Sequence, residues 1–185
     1  MKKLILCFAI CASVMLNAQT KVGDATLPNS VTFGESQLML NGAGVREKMW
    51  IDLYAGGLYL MNKSGDANKI IAADETMAIK LHIVSRLISS DKMIDAVNEG
   101  FENSTKGNTA PIADKIKTFK GFFMDEISRE DVFDITYQPS RGVVVYKNGK
   151  EKGVVEGMDF KKALFGIWLS SKPADDDLKK AMLGK

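Results

Sequence analysis

Residues 75 to 84 alternate, with Met77, Ile79, Leu81 and Ile83 on one side and Ala78, Lys80 and His82 on the other. A period of two with one apolar side is a strand that lays one face on a core, so its sheet is expected to be open or lightly covered on the second face. Strand composition recurs over 36–41, 47–61, 131–138 and 142–147, and Asn148-Gly149 predicts a tight hairpin into 151–156. Helical spacing separates these runs. A helix start over Ser64 to Asp66 precedes Ile70 and Ile71, Ser90 precedes apolar residues at 93, 94, 97 and 101, and Thr109-Ala110-Pro111 precedes a stripe of Ile112, Ile116, Phe119 and Phe123. The order of strands, helices, strands and helices predicts an α+β fold, an antiparallel sheet with its helices gathered on one face. No repeat or low-complexity linker interrupts it, so residues 19–185 are expected to form a single domain.

Residues 1–18 have a different character. Lys2 and Lys3 precede an apolar run from Leu4 to Leu16 and then Asn17-Ala18-Gln19, the pattern of a cleaved signal peptide. The apolar run is shorter than the roughly 18 to 20 residues a membrane anchor needs. Export to the periplasm or the medium is the expected localisation. Both cysteines, Cys7 and Cys11, lie inside the leader, and the mature chain is long enough to stabilise a core without disulfides. The leader also takes two of the 25 basic residues and no acidic one, leaving 23 of each sign. A balanced mature chain has no global field to draw it to nucleic acid.

The segment NGAGVREKMWIDLYAGGLYL, residues 41–60, carries the best clue to function. Gly42 and Gly44 are expected at a bend where one strand turns back into the next, with Arg46 at the mouth of the second strand. Gly56-Gly57 is expected to mark a bulge or a close approach by another backbone or a ligand. Arg46 offers a planar, permanently charged fork suited to bidentate capture of a carboxylate or an enolate oxygen, and its burial is costly without such a partner. Pairing with Glu47, Asp52 or another surface acid is the plainer reading. Tyr54 falls on one strand face with Trp50, Asp52 and Leu58 by period two where no bulge intervenes. Its phenol either joins Arg46 on an acid headgroup or sits wet above a ring buried in the core.

The Gly-Ala-Gly-x-Arg run at 42–46 and the Gly57-Leu58-Tyr59-Leu60 element resemble the chalcone isomerase family. The C-terminal stretch GMDFKKALFGIWLSSKPADDDLKKAMLG, residues 157–184, is similar to the helix, loop and final helix of its bacterial and fatty-acid-binding branches. The resemblance implies an open-faced β-sandwich with a ligand cleft between a long antiparallel sheet and a helical layer. It also implies that Arg46 is the anion-binding residue. Isomerases of the family align a threonine where this chain has Tyr54, whereas the fatty-acid-binding branch aligns a tyrosine. On the helix across the cleft the isomerases place a tyrosine and an asparagine where this chain has Ile112 and Phe119, and a second threonine aligns near Lys152. These departures remove the groups that hold a flavonoid, keep the arginine, and make Ile112 and Phe119 candidate walls for an acyl chain.

The remaining chemistry is sparse. His82 is the only histidine, and with no cysteine in the mature chain it makes no ordinary zinc site and no nucleophilic triad, so neither metal nor cofactor is expected. Asp175-Asp176-Asp177 after Pro173 reads as acidic charge at a helix start, without the spaced ligands of a calcium loop. Three functions fit. The leading one is an exported, non-catalytic binder of a fatty acid or similar amphipathic acid, with Arg46 and Tyr54 on the carboxylate and the tail between sheet and helices. The second is an isomerase of chalcone type in which Arg46 stabilises developing negative charge. The third is an interaction module with a vestigial cleft that makes transient contact with a membrane or an envelope protein.

Overall fold

A computed structural model describes residues 19–185, so the leader predicted over 1–18 lies outside the described residues. Two strands, β1 (Gln19–Val22) and β2 (Ala25–Pro28), form a small antiparallel hairpin. Seven more form one antiparallel meander in chain order: β3 (Ser30–Phe33), β4 (Ser36–Lys48), β5 (Ile51–Leu60), β6 (Met77–Ile83), β7 (Val132–Gln138), β8 (Gly142–Lys147) and β9 (Lys150–Val155). The helices are α1 (Ala67–Ala72), α2 (Ser90–Ser104), α3 (Ala113–Gly121) after a short 3-10 turn, α4 (Met158–Leu169) and α5 (Asp176–Met182). This is the α+β arrangement the element order predicts.

The alternation in β6 is realised: Met77, Ile79, Leu81 and Ile83 join the main core beneath the helices, with Phe133, Ile135 and Tyr137 of β7 beside them. The opposite face is more covered than expected. The sheet curls until Phe33 of β3 stacks on Tyr146 of β8, ring centres 5.8 Å apart. The β1–β2 hairpin lays Val22, Ala25 and Leu27 on Ala55 and Val84. Lys80 and Asp134, adjacent across β6 and β7, form an ion pair within that shelter. Residues 19–33 carry too little periodicity for the sequence to show these three covering strands.

The expected bend at Gly42 and Gly44 is corrected: both lie inside the continuous strand β4, and the chain reverses later, at Met49-Trp50. The glycines serve packing instead. A Cβ on Gly42 would stand 2.0 Å from the carbonyl oxygen of Ala181, one on Gly44 2.7 Å from the Ala181 side chain, and one on Gly56 2.8 Å from the Met182 methyl. Helix α5 therefore lies directly on the strands, and Asn41 ties it down by donating to the carbonyls of Met182 and Ser64. Gly56-Gly57 marks neither the expected bulge nor an approach by another backbone, but close packing by side chains of Met182, Leu178, Leu27, Tyr59 and Leu40; the register shifts fall between Leu40 and Gly42 and between Arg46 and Glu47.

Lys161 of α4 is fully buried and donates to the carbonyls of Ile70, Ile71 and Ala73 at 2.7 to 2.9 Å, closing the C-terminal end of α1. Burial pushes its ammonium down to about 8, the charge of Lys162 adding to the shift and Asp74 and Glu75 opposing it. Only the protonated form has a donor for each of the three acceptors.

Two predictions follow from these contacts. Gly42→Ala should lower stability by about 2 kcal/mol or more by lifting α5, whereas Gly121→Ala, where nothing lies within 4 Å, should be neutral or slightly stabilising in denaturant melts. Lys161→Met should lower the denaturation midpoint by the equivalent of about 2 kcal/mol with an unchanged slope, since three carbonyls lose their donor. A Met variant more stable than the parent would mean that desolvating the charge outweighs those bonds.

Candidate functional site

The β4–β5 hairpin is closed by a two-residue turn: Lys48 pairs with Ile51, and Met49 and Trp50 have φ of 51° and 62°. Two left-handed central residues define the turn twist that matches a hairpin, and Asn-Gly normally supplies it. A bulky side chain there costs roughly 1 kcal/mol or more per residue. Trp50 nevertheless stands 92% exposed at the tip. The predicted strand over 47–61 is thus split, because strand-forming side chains occupy a turn whose usual residues are absent.

The antiparallel register sets Arg46 directly opposite Tyr54, with the guanidinium carbon 5.8 Å from the centre of the phenol ring. Tyr54 is buried, 3% exposed, and its oxygen accepts a hydrogen bond from the indole Nε1 of Trp168 at 3.0 Å. An indole N–H only donates, so the phenol oxygen must accept and its own proton remains available for another acceptor. Burial pushes the Tyr54 pKa up, against the opposing pull of the Arg46 charge and the hydrogen bond from Trp168. Arg46 is half-buried and, among the described residues, makes no ion pair with Glu47, Asp52 or any other carboxylate. A charged fork and a protonated phenol share one small space, an arrangement suited to a carboxylate or another oxyanion.

Two spaces meet at this pair. The inner one, between sheet and helices, holds about 20 Å³ and is walled by Leu81, Met93, Val97, Phe119, Phe123 and Trp168 among others. That is room for about one water. The outer one, between the hairpin and the first turns of α2, holds about 360 Å³, within the range of small-ligand sites. Met49, Ile51, Leu53, Leu87 and Ile88 supply its apolar wall, and Lys48, Lys92, Asp95 and Glu99 its rim. Of the residues singled out from sequence, Arg46 and Tyr54 border both spaces and Phe119 borders the inner one. Ile112 borders neither and is buried in the main core. His82 lies on the far face of the sheet, 3.0 Å from Glu130. Among the described residues no group of three or more His, Cys, Asp or Glu side chains gathers as a metal site.

Trp168 and the α2 wall escape a reading by sequence. The C-terminal resemblance implies a helix through Trp168, but which strand residue its indole meets, 114 positions away, depends on packing alone. Leu87 and Ile88 did carry a signal, two apolar residues just ahead of Ser89, whose side chain caps α2 by accepting from the Lys92 amide.

A family model described as chalcone isomerase-like matches residues 19–184. No curated protein matches the chain. Among solved structures, the Arabidopsis thaliana fatty-acid binding protein AtFAP1 is similar with a TM-score of 0.67 and 20% sequence identity, over 86% of this chain and 91% of that one. At that identity the likeness shows the fold.

The buried phenols predict an alkaline limit. Burial raises the pKa of Tyr54, Tyr59 and Tyr137 above the ordinary value of 10.0, and Tyr137, bonded to Asp74, reaches about 12. Their contribution to stability is complete below about pH 10 and is lost as pH rises through the folded values, because the unfolded chain gives up those protons first. Stability measured by denaturant melts from pH 9 upward should fall beyond about pH 10, with phenolate absorbance from these three rings appearing together with unfolding.

Proposed function

Because this chain belongs to the chalcone isomerase-like family, we propose that it is an exported, non-catalytic binding protein for a fatty acid or a similar amphipathic carboxylic acid. The observation that carries this reading is the half-buried guanidinium of Arg46, without an acid of its own, beside a buried phenol whose oxygen is already engaged by Trp168 and whose proton is free. A carboxylate satisfies both donors at once. The apolar walls next to the pair suit a hydrocarbon, and a similar fold carries a fatty-acid binding protein in Arabidopsis thaliana. Export rests on the pattern of the first eighteen residues. Isomerase chemistry is the second reading, since the same guanidinium and phenol would stabilise and protonate an enolate.

Native mass spectrometry with organic extraction, on protein purified without detergent from its own envelope, should reveal an acyl-acid adduct. Arg46→Ala, still folded by circular dichroism, should weaken long-chain acid binding by roughly ten- to a hundredfold, the worth of a charged hydrogen-bonded pair. Undiminished binding in that variant would sink the reading. Arg46-dependent cyclisation of a chalcone would move the protein to the enzyme class.

A further inference from the structure

Where the tail of such an acid lies follows from a comparison of the two spaces. The inner space has room for about one water, and its walls are locked. Phe119 and Phe123 are 0% and 1% exposed with ring centres 5.2 Å apart, and Phe119 also meets Phe101 and Phe160 at 6.0 and 5.6 Å. Helix α2 cannot lift away cheaply, because it is seated on α4 at Gly100, where a Cβ would stand 2.7 Å from Ile167. An acyl chain entering between sheet and helices would have to break this packing.

The outer cleft needs no such opening. It holds about 360 Å³ and begins at the same Arg46 and Tyr54. Its wall already shows apolar side chains to water, Ile51 at 40%, Leu87 at 49% and Met49 at 75% exposed. Uncovered hydrocarbon of this kind gathered beside an unpaired cation is complementary to an amphipathic anion. The rim beyond it carries Lys48, Lys92, Asp95 and Glu99, charges of both signs.

We propose that the acid binds with its carboxylate on Arg46 and Tyr54 and its tail in the open cleft along Ile51, Leu53 and Leu87, so that the far end of the tail lies at the solvent-facing rim by Met49. This rests on the acid-binding reading above and adds a specificity to it. With its far end at that exposed rim the tail meets no end wall, so affinity rises with the carbons the cleft covers and then levels off. Acids that are branched, hydroxylated or otherwise substituted at the far end are accepted as ligands.

The test compares palmitic acid with palmitic acid bearing a fluorophore on its terminal carbon, by calorimetry and by competition on the mature protein. The tagged acid should bind within about threefold of palmitic acid, and its methyl ester, which keeps tail and fluorophore but loses the charge, should not bind. Leu87→Asp, at a half-exposed position that leaves the fold intact, should weaken both acids about tenfold or more. Val97→Leu, which adds a methylene to the wall of the inner space, should leave both affinities unchanged. Palmitic acid that binds through Arg46 while the tagged acid is rejected, or that is indifferent to Leu87→Asp, would place the tail inside and overturn this inference while sparing the acid-binding function. A parent protein that binds neither acid would overturn both.

Discussion

At Gly42 the place of a side chain is taken by the carbonyl oxygen of Ala181, and at Gly44 and Gly56 by the side chains of Ala181 and Met182. This glycine stripe lets α5 rest on β4 and β5 at a distance no other residue would permit. The consequences reach the site. Ala174, in the link before α5, donates its amide to the carbonyl of Ile167, and Lys179 of α5 reaches the carbonyl of Ser170, so the end of α4 is held by the helix that follows it. Trp168 lies between those two anchors, and its indole is thereby aimed at the phenol of Tyr54. A packing contact made by missing side chains thus helps to set a hydrogen bond that leaves the phenol proton free for another acceptor.

The same economy governs capacity. Five phenylalanines, Phe101, Phe119, Phe123, Phe133 and Phe160, fill the layer between helices and sheet with ring contacts of 5.1 to 6.0 Å. Such an interior contributes to stability through close packing and leaves little room for cargo. The accessible volume lies instead beside the hairpin, where a turn built from Met49 and Trp50 keeps apolar side chains at the surface at a cost in backbone strain.

Much of the fold was legible in the residues. The alternation of Met77 to Ile83, the Asn148-Gly149 hairpin, the capping pattern around Asp66 and the acidic start of α5 at Asp175 each express a local rule, and each is realised. The misreadings are equally instructive. Gly42 and Gly44 were legible as places without side chains, but a gap for a bend and a gap for a helix are the same letters. Met49-Trp50 reads as strand because the left-handed turn has none of its usual residues there. Arg46 and Tyr54 read as two positions of one strand, eight residues apart; only the reversal at Met49-Trp50, five residues past Gly44, makes them neighbours across a hairpin.

The sequence by itself determined the periodicities, and with them the α+β architecture and the face of β6 that meets the core. It also placed one arginine and one tyrosine eight positions apart in an extended, glycine-rich segment. Only the tertiary structure decided that Trp168 donates to the phenol oxygen, that Phe119 closes the interior while Ile112 lies away from the site, and that the useful space opens between the hairpin and α2. The physical reason is range. Propensity and period act within a few residues, whereas the shape of a cleft is set by side chains more than a hundred positions apart that meet only after the sheet has curled and the helices have settled on it.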